Sequence, residues 1–169
     1  MKSPRAYLIE QVIANIIINF TIAYFIAKAT LAALEFIPLQ APQGAPLAPN
    51  MAGDLLVGSF LTGLLITLIL SKLTQWQLRH EKVDNSTVQL EGWIKLLPAS
   101  IMKRALLMGV FATLVLAFPS IIILSILGVQ QVASQDYIAF HAVYAGIMGG
   151  GLAYIASKRA LIDVELKTQ

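Results

Sequence analysis

Residues 72–104, KLTQWQLRHEKVDNSTVQLEGWIKLLPASIMKR, decide the reading of this chain. No other long run resembles ordinary soluble protein. Lys72, Arg79, Lys82, Lys95, Lys103 and Arg104 place half of the chain's 12 lysines and arginines here. Long apolar segments flank it in pairs. The stretch therefore reads as a basic cytoplasmic connector between two membrane hairpins.

Upstream, the apolar run from Tyr7 to Ile37 exceeds what a bilayer core of about 30 Å needs at about 1.5 Å per helical residue. The expected first span is about 8–34, tilted, with Lys28 and Glu35 near its outer end. Ala27-Lys28-Ala29 fits a small-x-small cleavage pattern, but the run is long and Asn15 and Asn19 interrupt it, which favours a retained span. Pro38, Pro42, Pro46 and Pro49 with Gly44 then make a loop that holds no Lys or Arg. The second span is expected at about 55–72, with Asp54 just before it.

Within the connector, Leu73–Glu81 continues the second helix outward and sets Trp76 at headgroup depth. Val83–Thr87 is turn-like. Val88–Ile101 reads either as a short interfacial helix or as a plain loop. Downstream, the third span is expected at about 105–127 with Pro119 well inside it, and the fourth at about 137–157. The loop between them, Gly128–Gln135, again lacks Lys and Arg, whereas Lys158, Arg159 and Lys167 follow the fourth span.

Every loop gives the same topology. Basic residues cluster at the start, in the connector and at the end, so these segments are expected in the cytoplasm. Asn85-Ser86-Thr87 matches a glycosylation acceptor but faces the wrong side on this topology. The expected fold is thus an all-α integral membrane protein, one domain of four transmembrane helices, multi-pass in a bacterial inner membrane.

Composition agrees. The chain is 57% hydrophobic and 12% charged. Soluble domains are nearer about 45–50% and about 25%. Without cysteine there is no disulfide, thiolate catalysis or cysteine metal site. The net charge of +3 flanks apolar spans and forms no nucleic-acid footprint. No phosphate-binding loop, H-E-x-x-H, G-x-S-x-G or dinucleotide fingerprint occurs, so no enzyme, cofactor or metal site is expected.

The residues that invite a function lie within the spans. Gln11, Asn15 and Asn19 recur every four residues and share one helix face, as the wall of a polar path or as inter-helix glue. Ala139, Ala142, Gly146, Gly149, Gly150 and Ala153 form a small-residue stripe, suited to close packing within the bundle or between copies. Gly149-Gly150-Gly151 could also unwind to line a site. Ser59, Thr62 and Gly63 could face this stripe. Asp54 and Asp136 stand at helix starts, where a carboxylate caps exposed N–H groups, or where the two could bind a cation together with Glu35. His141 is the one histidine inside a span.

The two hairpins are faintly alike. Gly63 to Ser71-Lys72 has the spacing of Gly149 to Ser157-Lys158. The expected function is a small transporter or channel subunit working as a homo-oligomer in the lipid bilayer. The alternative is a non-catalytic scaffold that binds another membrane protein through its small-residue faces.

Overall fold

The computed structural model describes residues 1–84 and 92–163. Asn85-Ser86-Thr87, the first residues of the proposed interfacial helix and Lys167 lie outside the described residues. Among the described residues, four helical segments are long and apolar enough to cross a membrane: Pro4–Leu31, Met51–Arg79, Ile101–Ile126 and Ser134–Ile162. The chain is a multi-pass, largely helical membrane protein. Large apolar side chains such as Ile17, Phe25, Leu65, Ile69, Leu114 and Ile147 are exposed along these helices, which suits lipid and not water.

Helix α1 (Pro4–Leu31) starts where Pro4 supplies a preset φ and Ser3 accepts a hydrogen bond from the Ala6 N–H. Helix α2 (Met51–Arg79) is capped by Asn50, whose Oδ1 accepts from the Gly53 N–H at 2.8 Å. A short 3-10 helix, Gly92–Leu96, precedes α3 (Ile101–Ala112). Next comes a π-helical turn, Thr113–Ala117, and then α4 (Phe118–Ile126). The π turn sits just before Pro119. Its wider winding, with the Phe118 N–H bonded to the Thr113 carbonyl, accommodates a ring that a regular helix would not. Helix α5 (Ser134–Ile162) closes the bundle and runs unbroken through Gly149-Gly150-Gly151, so the glycines do not unwind it.

All four helical segments extend beyond the expected spans toward the end where α1 begins and α5 finishes. There Lys2 pairs with the backbone of Lys82 and Asp84, and Tyr7 donates to or accepts from Thr74 at 2.8 Å. This is the terminal end; the opposite one is the loop end. At the loop end the two inter-helix loops pair with each other. Strand β1 (Phe36–Pro38) runs antiparallel to β2 (Gln131–Ala133), with Ile37 opposite Val132. The backbone bonds Leu39 N–H to Gln130 and Ser134 N–H to Glu35 extend this clasp.

Helix α1 packs along α5, α3 along α2, and α2 on α5, while β1 pairs with β2. Exchanging the two hairpins maps this set of contacts onto itself. The two hairpins thus take equivalent places in the bundle. The glycines follow suit: Gly63 on α2 abuts α3, and Gly149 on α5 abuts α1.

Candidate functional site

The capping of α2 by Asn50 frees Asp54 for another task. It lies in the first turn, where a carboxylate is favoured by the exposed N–H groups, but the cap itself is Asn50 and not Asp54. On α5, Tyr137 and His141 are one turn apart and so share a face. Packing of α5 on α2 brings that face to Asp54. The Tyr137 hydroxyl donates to Asp54 Oδ2 at 2.7 Å, and His141 Nδ1 lies 2.7 Å from the same oxygen. The Tyr137 and His141 rings meet edge to face, with centroids 5.8 Å apart. One turn deeper, Ser59 and Tyr144 join α2 to α5 through their hydroxyls at 2.8 Å.

This trio stands in the wall of a cavity of about 400 Å³ at the loop end. Ile26, Ala27 and Thr30 of α1 form one side, Pro46–Asn50 of the first loop a second, and Asp54, Val57, Tyr137 and His141 the rest. The His141 side chain is 14% exposed and that of Asp54 41%. Asp54 is therefore within reach of a solute, while the histidine is nearly enclosed. A carboxylate and an imidazole in contact can hold a cation or exchange a proton. Asp136 and Glu35 do not line the cavity. Among the described residues no group of three His, Asp or Glu side chains could hold a metal ion.

The amide face of α1 is placed differently. Gln11 and Asn15 are buried, and Asn19 is half-buried. Asn15 Nδ2 donates to the Gln11 carbonyl at 2.9 Å and Asn19 Nδ2 to the Asn15 carbonyl at 2.8 Å, both within α1. The glycine stripe of α5 lies on this face. A Cβ on Gly146 would sit 3.2 Å from the Ile16 carbonyl oxygen, and one on Gly150 would sit 2.6 Å from Ile16 Cγ1. The glycines of the stripe therefore meet α1, while Ser59 meets α5 through Tyr144 and not through these glycines. Gly63 instead meets α3, where its Cβ would come 2.6 Å from the Met108 carbonyl oxygen.

A second polar cluster lies near the terminal end. Arg104, at the start of α3, is 0% exposed. Its Nη1 lies 2.7 Å from Asp163 Oδ2 and donates to the Pro98 carbonyl at 3.2 Å; its Nη2 donates to Ser71 Oγ at 3.1 Å. Arg159 also pairs with Asp163, and its Nε donates to the Leu97 carbonyl at 3.2 Å. Both arginines look in the sequence like topology-setting charges in water, yet both are buried. The preceding segment folds back over them, with Ile94 and Leu97 in the core beside Leu70, Met108 and Leu152.

Sequence reasoning singled out Asp54 and His141 without pairing them and missed Tyr137, Tyr144, Arg104, Arg159 and Asp163 as partners. The spacing of Tyr137, His141 and Tyr144 along one face of α5 was an available signal. Compared with known protein families, curated proteins and solved structures, the chain matches none.

Proposed function

We propose that the protein is a small transporter or channel subunit whose solute-handling site is the cavity at Asp54, Tyr137 and His141. The observation that carries this is the meeting of a carboxylate, an imidazole and a phenol from two helices on one oxygen, Asp54 Oδ2, in a cavity with mainly apolar walls. Ionisable groups inside a membrane bundle are costly, and they mark solute paths where they face a cavity. We read the amide face of α1 as packing and not as this path, because Asn15 and Asn19 bond within α1 and Asn19 lies against Gly149 of α5. On this reading the loop end faces outward and the basic terminal end lies in the cytoplasm of a bacterial inner membrane, in keeping with the charge distribution.

The test is flux in proteoliposomes loaded with a pH-sensitive dye, with a potassium diffusion potential as the driving force. Wild-type protein should dissipate the potential through protons or small cations, and Asp54→Asn should slow this about tenfold or more at equal incorporation. If wild-type vesicles are no leakier than empty ones to protons, sodium, potassium and small organic cations, the transport reading is abandoned.

Helix α4 favours a second reading. None of its residues is buried, so its apolar surface is open to lipid or to another membrane protein. Here the protein is an accessory subunit, and nothing crosses it. Site-specific cross-linking from Ile122 in native membranes should then capture one discrete partner. A smear of unrelated products would leave only lipid on that face.

A further inference from the structure

We infer that the cavity at the loop end binds a small amphipathic organic cation, an inference that rests on the solute-handling role just proposed. Three features of the cavity select this class. First, its walls are largely hydrocarbon: Ile26, Leu31, Leu47 and Val57 would cover an apolar body. Cavities of about 300–1,000 Å³ suit small organic molecules, and a bare metal ion would leave this space and its apolar walls unused. Second, the charge on its lining is acidic. Asp54 and His141 are the only ionisable carboxylate and imidazole there, and among the lining residues there is no lysine or arginine. Third, the carboxylate is incompletely covered. Tyr137 and His141 both converge on Oδ2, and the Asp54 side chain keeps 41% exposure. A positively charged head can thus meet Asp54 without first displacing the tyrosine. The edge-to-face rings of Tyr137 and His141 stand beside that position.

An anion is opposed by the carboxylate. A neutral molecule gains the apolar contact but makes no charge-assisted contact with the part of the Asp54 carboxylate that Tyr137 and His141 leave open. A cation gains both.

The experiment uses the full chain in lipid nanodiscs and isothermal titration calorimetry with three ligands of similar shape. Benzyltrimethylammonium is the cation, neopentylbenzene its neutral isostere and phenylpropionate the anion. The cation should bind about tenfold or more tightly than either of the others. Asp54→Asn should erase that preference while leaving weak apolar binding. Val57→Trp, which adds bulk to the cavity wall and removes no member of the polar trio, should weaken binding of the cation and the neutral ligand alike. It also keeps the test open if Asp54→Asn fails to fold. Equal binding of all three ligands, a preference for the neutral or anionic one, or cation binding unchanged in Val57→Trp would overturn the inference. Cation binding without vesicle flux would remove the transport reading and keep this one. Proton flux without cation binding would do the reverse.

Discussion

The Asn19 side chain fills the space that a Cβ on Gly149 would need: its Nδ2 lies 2.6 Å from that position. Helices α1 and α5 touch here because one supplies a polar bump and the other no side chain at all. Small residues let membrane helices approach closely, and dispersion then accumulates along the contact. Gly149→Ala should therefore destabilise the bundle by about 1 kcal/mol or more, since the amide can swing but Asn19 Cβ, 2.9 Å from the new atom, moves only with the backbone. Asn19→Ala in the same chain should recover part of the loss, because Asn19 Cβ itself stays 2.9 Å from the new atom. Unfolding in mixed micelles of rising denaturing detergent, followed by circular dichroism, measures both.

Gly63 is less forgiving. Its would-be Cβ meets the Met108 carbonyl oxygen at 2.6 Å and Gly109 Cα at 2.9 Å, and this is backbone that cannot rotate away. Gly63→Ala should cost about 1–3 kcal/mol, more than Gly149→Ala. At Gly151 a Cβ meets nothing within 4 Å. There alanine should stabilise α5 by up to about 1 kcal/mol through helix propensity alone. The same unfolding assay should rank Gly151→Ala above wild type and Gly63→Ala last. Equal values for the three would mean that these contacts do not set bundle stability.

The buried charges give a ranked prediction of their own. Asp163 is shared by Arg104 and Arg159, and its side chain is 3% exposed. Removing one partner of a buried ion pair costs about 3–5 kcal/mol, because the other charge is stranded. Asp163→Ala strands two guanidiniums, whereas Arg159→Ala leaves Arg104 and Asp163 paired. Asp163→Ala should thus lower thermal stability in detergent far more than Arg159→Ala. The opposite order would show that another acid holds the arginines.

Tyr7 and Thr74 tie α1 to α2 near the terminal end through hydroxyls 2.8 Å apart. Tyr7→Phe keeps the ring and removes the bond. A loss of roughly 0.5–1 kcal/mol is expected, since hydrogen bonds between membrane helices are individually modest. In a double-mutant cycle with Thr74→Val the coupling should fall in that range. Zero coupling would show that another polar group already replaces the bond.

The four spans were legible because hydrocarbon demands long apolar helices, and such runs survive in any window of the sequence. The continuation of the second helix through Leu73 was legible too, and α2 runs to Arg79, whereas the fourth span, expected at 137–157, lies in a helix that runs from Ser134 to Ile162. The four-residue spacing of Gln11, Asn15 and Asn19 identified a face, yet nothing local says that Gly149 abuts Asn19. Asp54 and His141 sit on different hairpins, so only tertiary packing reveals the pair. Arg104 misled for a physical reason. An arginine beside a span is most often solvated and sets topology, and its burial depends on Asp163 and Ser71, far away in sequence. The β1–β2 pair gave no signal, since three-residue strands carry no periodicity to read.

That clasp divides the molecule mechanically. Near the loops, main-chain bonds rivet one hairpin to the other, through Ile37 beside Val132 and Leu39 on Gln130. Near the termini the bond from one hairpin to the other is between side chains, Arg104 Nη2 donating to Ser71 Oγ, while Arg104 and Arg159 grip Asp163 within the second hairpin. Side-chain grips release and re-form one rotamer at a time, whereas a strand pair yields only as a unit. The terminal junction is therefore the one that a side-chain substitution can loosen, whereas the clasp, built of main-chain bonds, is indifferent to which side chains it carries.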